Sequence, residues 1–184
     1  MKVIFMGTPD YAVKTLEALV NSEHTVAAVF AQPDKPVGRK QVLTPPPVKV
    51  CAIENNIPVY QPNSLRTEEF ASLLQKIDPD LIAVVAYGKI LPKNVLDYPK
   101  FGCVNVHGSL LPKYRGASPM QSAVINGDKV TGITTMFMAE GLDTGDMLLK
   151  AECEIAENDN FEDIHDRLGA AGAEALLETL ARLR

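Results

Sequence analysis

The chain has 184 residues, 46% of them hydrophobic and 22% charged, with a net charge of −5. That composition supplies one substantial core and excludes intrinsic disorder, and the length favours a single domain over residues 1–184. The acidic balance excludes a chain-wide polyanion clamp but not a local basic loop, and the longest apolar run, Leu81 to Tyr87, is far below the ~20 residues that cross a bilayer.

No basic-then-apolar leader with a small-residue cleavage site opens the chain, so a cytoplasmic protein is expected, with no membrane partner. Cys51, Cys103 and Cys153 are widely spaced and form no CxxC pair, which suits reduced thiols and points to no metal.

Lys2 to Met6 reads as a strand that ends at Gly7. Thr8 is a candidate helix cap and Pro9 fits a first helical turn. Val13, Leu16 and Val20 recur at helical spacing, and Thr25 to Phe30 is a β-branched second strand. The proline-rich stretch from Gln32 through Pro47 excludes regular structure until about Val48 and leaves a long exposed loop with a basic tip at Arg39 and Lys40. Val48 to Asn55 predicts a helix, Pro58 to Tyr60 a short strand, and Glu68 to Ile77 an amphipathic helix. Leu81 to Ala86 is apolar throughout, as a central parallel strand covered on both faces must be. Cys103 to His107 is a fifth strand, followed by a helix from about Ser118 to Asn126. Val130 to Met138 and Met147 to Ile155 are two late strands, and the chain closes on a helix carrying Phe161, Ile164, Leu168, Ala171, Ala175 and Leu176 along one face.

This alternation predicts an α/β fold: a mostly parallel sheet with right-handed crossovers, its last strands antiparallel. Ligands in such sheets sit beyond the carboxyl ends of the strands, which directs attention to Gly7–Asp10, the loop after Phe30, the turn after Tyr87 and the segment after His107. On extended chain Asn105, His107 and Ser109 share a face. An Asn amide can donate to a developing oxyanion, and a His can donate or shuttle a proton. Asp143, between Gly141 and Gly145, sits in a tight turn that would fix its carboxylate's direction. Each of these alone also fits an ordinary polar strand end or turn former. His24 reads as a surface turn residue, and His165, near Asp163 and Asp166, as solvated.

The run Asn105–Val106–His107–Gly108–Ser109–Leu110–Leu111–Pro112, with Gly141–Leu142–Asp143–Thr144–Gly145, resembles the signature of the folate-dependent formyltransferases. Met6 to Ala12, the Gly38–Arg39–Lys40 loop and Tyr114 to Ala117 bring the resemblance closest to the branch that formylates initiator methionyl-tRNA in translation initiation. It implies a Rossmann-like sheet with helices on both faces and a catalytic domain over 1–184, the family's second, barrel domain lying outside this chain. It also implies 10-formyltetrahydrofolate as donor, no metal, a monomer, and Asn105, His107 and Asp143 as catalytic residues. Ser109, Leu110, Leu111 and Pro112 would form part of the folate site, with Tyr87, Gly88 and Ile90 lining the pterin pocket. Arg39 and Lys40 would meet the tRNA.

Other acceptors remain open: glycinamide ribonucleotide, an amino sugar nucleotide, or water. A different class, a non-catalytic nucleotide-binding module, would want a GxGxxG cradle, but the first turn carries one glycine, Gly7, followed by Thr8 and Pro9.

Overall fold

The computed structural model describes residues 1–184. Seven strands form one sheet in the order β5-β2-β1-β6-β7-β8-β9, built from Lys2–Gly7 (β1), Thr25–Phe30 (β2), Val59–Tyr60 (β5), Leu81–Val85 (β6), Cys103–His107 (β7), Val130–Phe137 (β8) and Met147–Glu154 (β9). β5, β2, β1, β6 and β7 run parallel, while β8 and β9 are antiparallel.

The central strands show why the sequence has to be apolar there. Along β1 and β6, Val3, Phe5, Leu81, Ala83 and Val85 point into one core. Ile4, Met6, Ile82 and Val84 point into the other. The first core is closed by helices Val13–Val20 (α1), Pro47–Glu54 (α2) and Phe161–Arg182 (α6). The second is closed by Glu68–Ile77 (α3) and Lys93–Leu96 (α4). Burying each large side chain, Phe5 and Phe30 among them, contributes about 1.5–3 kcal/mol, so both faces must be covered for the sheet to be stable. Asn105 and His107 alternate with Val104 and Val106, which places the two polar residues on the α3–α4 side of the sheet.

The chain leaves β1 toward β2 in one direction and β6 toward β7 in the other, so the topology reverses between β1 and β6. No helix is long and apolar enough to cross a membrane.

Four expectations need correction. The proline-rich stretch is not irregular: Lys35–Val37 (β3) pairs antiparallel with Val42–Thr44 (β4). Pro36 is tolerated because a two-stranded ribbon leaves one side of each strand without partners, and Gly38 takes the positive φ (74°) that its turn needs. Thr8 caps no helix. Its hydroxyl donates to the Tyr87 carbonyl at 2.9 Å, and a single 3-10 turn, Asp10–Ala12, precedes α1. His24 is buried, with its Nδ1 3.4 Å from the Met1 amine, because the β1–β2 pairing draws the chain start across it. His165 is not simply solvated: α6 packs against α1 and the first turn, setting the ring between Tyr11 and Phe161 with Nε2 3.2 Å from Asp10.

Candidate active site

A cleft of about 460 Å³ opens beyond the carboxyl ends of β6 and β7. Asn105, His107 and Asp143 all line it, with Tyr87, Gly88, Lys89 and Ile90 along one wall. Three elements far apart in sequence therefore converge, as the sequence required for any chemistry there.

β7 sets the first two side chains. Asn105 lies opposite Val84 on one side and Met136 on the other, in the interior of the sheet. His107, the last residue of the strand, is 6% exposed. Its Nε2 lies 2.8 Å from the Tyr114 carbonyl, and since a carbonyl only accepts, that nitrogen carries a proton and donates it. Nδ1 is left facing the Asp143 carboxylate at 3.7 Å. This is ion-pair distance, beyond a hydrogen bond.

Asp143 arrives by a less direct route. β8 ends with Phe137 opposite Val104 rather than His107, and the following turn carries the chain back to the imidazole. Asp143 adopts φ 48°, a left-handed conformation that Asp tolerates better than most residues. The Gly116 amide donates to its Oδ2 at 2.8 Å, and Arg115 Nε donates to its carbonyl at 3.1 Å. Ala86 (φ 48°) and Tyr114 (φ 56°) are also left-handed, so three such non-glycine residues surround this cleft. Backbone strain of this kind costs of order 1–3 kcal/mol per residue and concentrates at functional sites.

The structure brings Tyr87, Gly88 and Ile90 to the cleft, but not the Ser109–Pro112 run. Strand alternation lapses after His107, so Ser109 is fully buried and donates to the Lys113 carbonyl at 2.6 Å. The Leu111 amide donates to Thr134 Oγ1, whose hydroxyl in turn donates to the Ser109 carbonyl. The run is a brace that carries the chain from His107 to Tyr114. Arg39 and Lys40 lie on the exposed β3–β4 ribbon and do not line the cleft.

Sequence reasoning missed the residues that hold His107. Asp128 Oδ2 accepts from Lys113 Nζ and from the Tyr114 hydroxyl, both at 2.8 Å. Tyr114 is thereby pinned at its far end while its carbonyl holds the imidazole. The hydrogen bonds from Lys113 and then Tyr114 hold the Asp128 carboxyl below its usual pKa. A carboxylate depressed in this way stabilises the fold above its unfolded-state pKa, and the contribution is lost as pH falls through the lower folded value. The clamp is thus complete at neutral and mildly acidic pH. Asp128→Asn should misplace the imidazole and lower turnover in the reaction proposed below by up to about 100-fold, with affinity for the proposed donor unchanged. Steady-state kinetics beside a donor titration would check this, and unaltered turnover would remove Asp128 from the site's support.

Tyr11 and Tyr87 also line the cleft, and neither buried hydroxyl finds a partner within the chain. Burial pushes Tyr87 up to about 12 and Tyr11 higher still, so both remain neutral. No group of three or more His, Cys, Asp or Glu side chains assembles at a metal-binding spacing.

Residues 1–180 match the formyl transferase family profile. The chain belongs to the formyl transferase family. It is 57% identical over 183 residues to a curated methionyl-tRNA formyltransferase of Acetivibrio thermocellus, covering 100% of this chain and 59% of that protein. A second, from Pelotomaculum thermopropionicum, is 57% identical over 180 residues, covering 98% and 58%. The chain thus spans about three-fifths of the length of the curated relatives it matches. Among solved structures, the phosphoribosylglycinamide formyltransferase of Bacillus halodurans superposes with a TM-score of 0.82 at 22% identity, covering 100% of this chain and 95% of that one. At that identity the likeness is one of fold: a formyl transferase sheet with the same layered arrangement.

Proposed function

We propose that the chain transfers the formyl group of 10-formyltetrahydrofolate to the α-amine of initiator methionyl-tRNA, acting in the cytoplasm. The observation that carries this reading is the convergence of Asn105, His107 and Asp143 on one cleft in a formyl transferase whose curated relatives are named for that reaction.

The chemistry follows from the side chains. An amide-like formyl donor is a weak electrophile, so the barrier lies in the charge that develops on its oxygen. Asn105 donates its amide N–H to that oxygen, an interaction that typically contributes about 3–4 kcal/mol at the transition state. The attacking α-amine, with an unperturbed pKa near ~7.7–8.0, is partly neutral at pH 7 and needs no strong base. As its nitrogen bonds the formyl carbon, His107 Nδ1 takes the surplus proton, and the imidazolium so formed faces the Asp143 carboxylate. The proton then passes to N10 of the folate as the bond from that nitrogen to the formyl carbon breaks. Amide product and tetrahydrofolate leave, and the atoms balance without a covalent enzyme intermediate.

The wall at Tyr87–Ile90 holds the folate, and the ribbon bearing Arg39 and Lys40 supplies positive charge to the RNA. Direct assay with initiator methionyl-tRNA and with glycinamide ribonucleotide tests the acceptor, and preference for the ribonucleotide overturns the proposal. Arg39→Ala should weaken RNA binding with donor affinity intact. It should also shallow the dependence of log affinity on log salt by about 1, the signature of one lost phosphate contact.

A further inference from the structure

The β3–β4 ribbon is exposed along its length, with Val37, Val42 and Leu43 all more than half accessible, so its position depends on its two feet. At the first foot stands Asp34, whose carboxylate accepts from Lys49 Nζ at 2.9 Å and from Gln61 Nε2 at 2.6 Å. Lys49 Nζ also donates to Gln61 Oε1 at 3.0 Å, closing a three-membered ring of polar side chains between α2 and the end of β5. Gln61 Nε2 reaches on to the Gln32 carbonyl at 3.0 Å. Gln32 Nε2 then donates to the Tyr87 carbonyl at 3.1 Å.

The second foot arrives at the same place. The Val48 amide, at the start of α2, meets the Thr8 carbonyl at 3.4 Å, and Thr8 Oγ1 donates to that same Tyr87 carbonyl at 2.9 Å. The Gln32 amide completes the junction by donating to Thr8 Oγ1 at 3.3 Å. Both acceptor positions of the Tyr87 carbonyl are therefore occupied from the ribbon side. That peptide cannot turn toward the cleft without breaking both bonds, and Gly88, next in the wall, has φ 87°. The Asp34 carboxyl is held below its usual pKa by Gln61 first and Lys49 second, so the ring stays charged at neutral pH.

We infer that Asp34, Lys49, Gln61 and Gln32 form a strut coupling the position of the basic ribbon to the cleft wall at Tyr87–Ile90, so that donor occupancy is felt at the ribbon and RNA contact is felt at the donor site. These are positioning residues; none lines the cleft. The inference rests on the proposed function for the identity of the two ligands. Linkage makes the effect reciprocal: whatever factor the donor imposes on the ribbon, a ligand on the ribbon imposes on the donor.

The test needs only this chain and tetrahydrofolate kept reduced. Hydrogen exchange of the amides in Lys35–Thr44 is followed with and without the folate, together with its affinity. In the unmodified chain, binding should slow ribbon exchange about 5-fold or more. In Lys49→Met, and independently in Asp34→Asn, the slowing should disappear while folate affinity and the circular dichroism spectrum stay unchanged. Folate binding that leaves ribbon exchange unaltered in the unmodified chain overturns the strut and leaves the proposed function standing, as does slowing that persists in both variants. A chain that binds no tetrahydrofolate overturns the reading of the cleft itself, and the strut with it.

Discussion

His107→Ala should lower formyl transfer by at least ~100-fold while leaving the fold and the affinity for tetrahydrofolate unchanged. In the proposed mechanism the size follows from what is lost: the group that receives the amine's proton and that, once protonated, faces Asp143. Asn105→Ala should fall in the same range through loss of an oxyanion donor. Asn105→Asp should be no better, because it replaces a donor by a charged acceptor of the same shape. The two losses should not add: residues acting on one tetrahedral centre behave as a unit, so the double variant should be little worse than the poorer single one. Single-turnover rates separate this chemistry from binding. Near-normal turnover in His107→Ala, with the fold confirmed, would leave the proposed mechanism without its proton carrier.

The second large effect is expected at a residue that performs no chemistry. A Cβ built on Gly145 would lie 1.7 Å from the Phe137 carbonyl oxygen, and the neighbour it meets is backbone, which cannot step aside cheaply. Phe137 also donates its amide to the Asp146 carbonyl at 2.9 Å, so the strand end and the turn are tied at this point. Gly145→Ala should cost about 1–3 kcal/mol by overpacking and lower the melting temperature by roughly 2–12 °C. It should also reduce activity more than that loss of stability explains, because the displaced turn carries Asp143. Gly108→Ala supplies the contrast, since its added Cβ meets only side chains, Met120 at 3.4 Å and the Tyr11 hydroxyl at 3.6 Å. Equal melting curves and equal rates for Gly145→Ala and the unmodified chain would show that the close approach does not position the aspartate.

The parallel strands were legible because a strand buried on both faces has no freedom in composition: Leu81–Val85 is apolar at every position, and every position is buried. The helix Glu68–Ile77 matched residue for residue because Thr67 caps it, accepting from the Phe70 amide at 3.1 Å, and its apolar stripe is strong. The ribbon was lost because proline density is a fair guide to irregular chain only where strand partners are required on both sides. At the site, period-two alternation placed Asn105 and His107 together, since both lie within β7. The same rule failed for Ser109, two residues beyond the strand's end, where Thr134 on the neighbouring strand dictates the turn. Asp143's direction could not be read from spacing, because it depends on how the turn after β8 folds back. Asp128 carried no local signal: its importance lies in a tyrosine whose opposite end touches the imidazole.

The Tyr114 carbonyl has one more consequence. By occupying one ring nitrogen permanently, it leaves His107 a single face through which a proton can enter or depart. A half-turn of the ring would set a carbon against that oxygen and forfeit the bond, so the imidazole is keyed like a plug with one orientation. In the proposed reaction, traffic between the incoming amine and the departing folate nitrogen then shares one doorway, with both substrates on the same side of the ring.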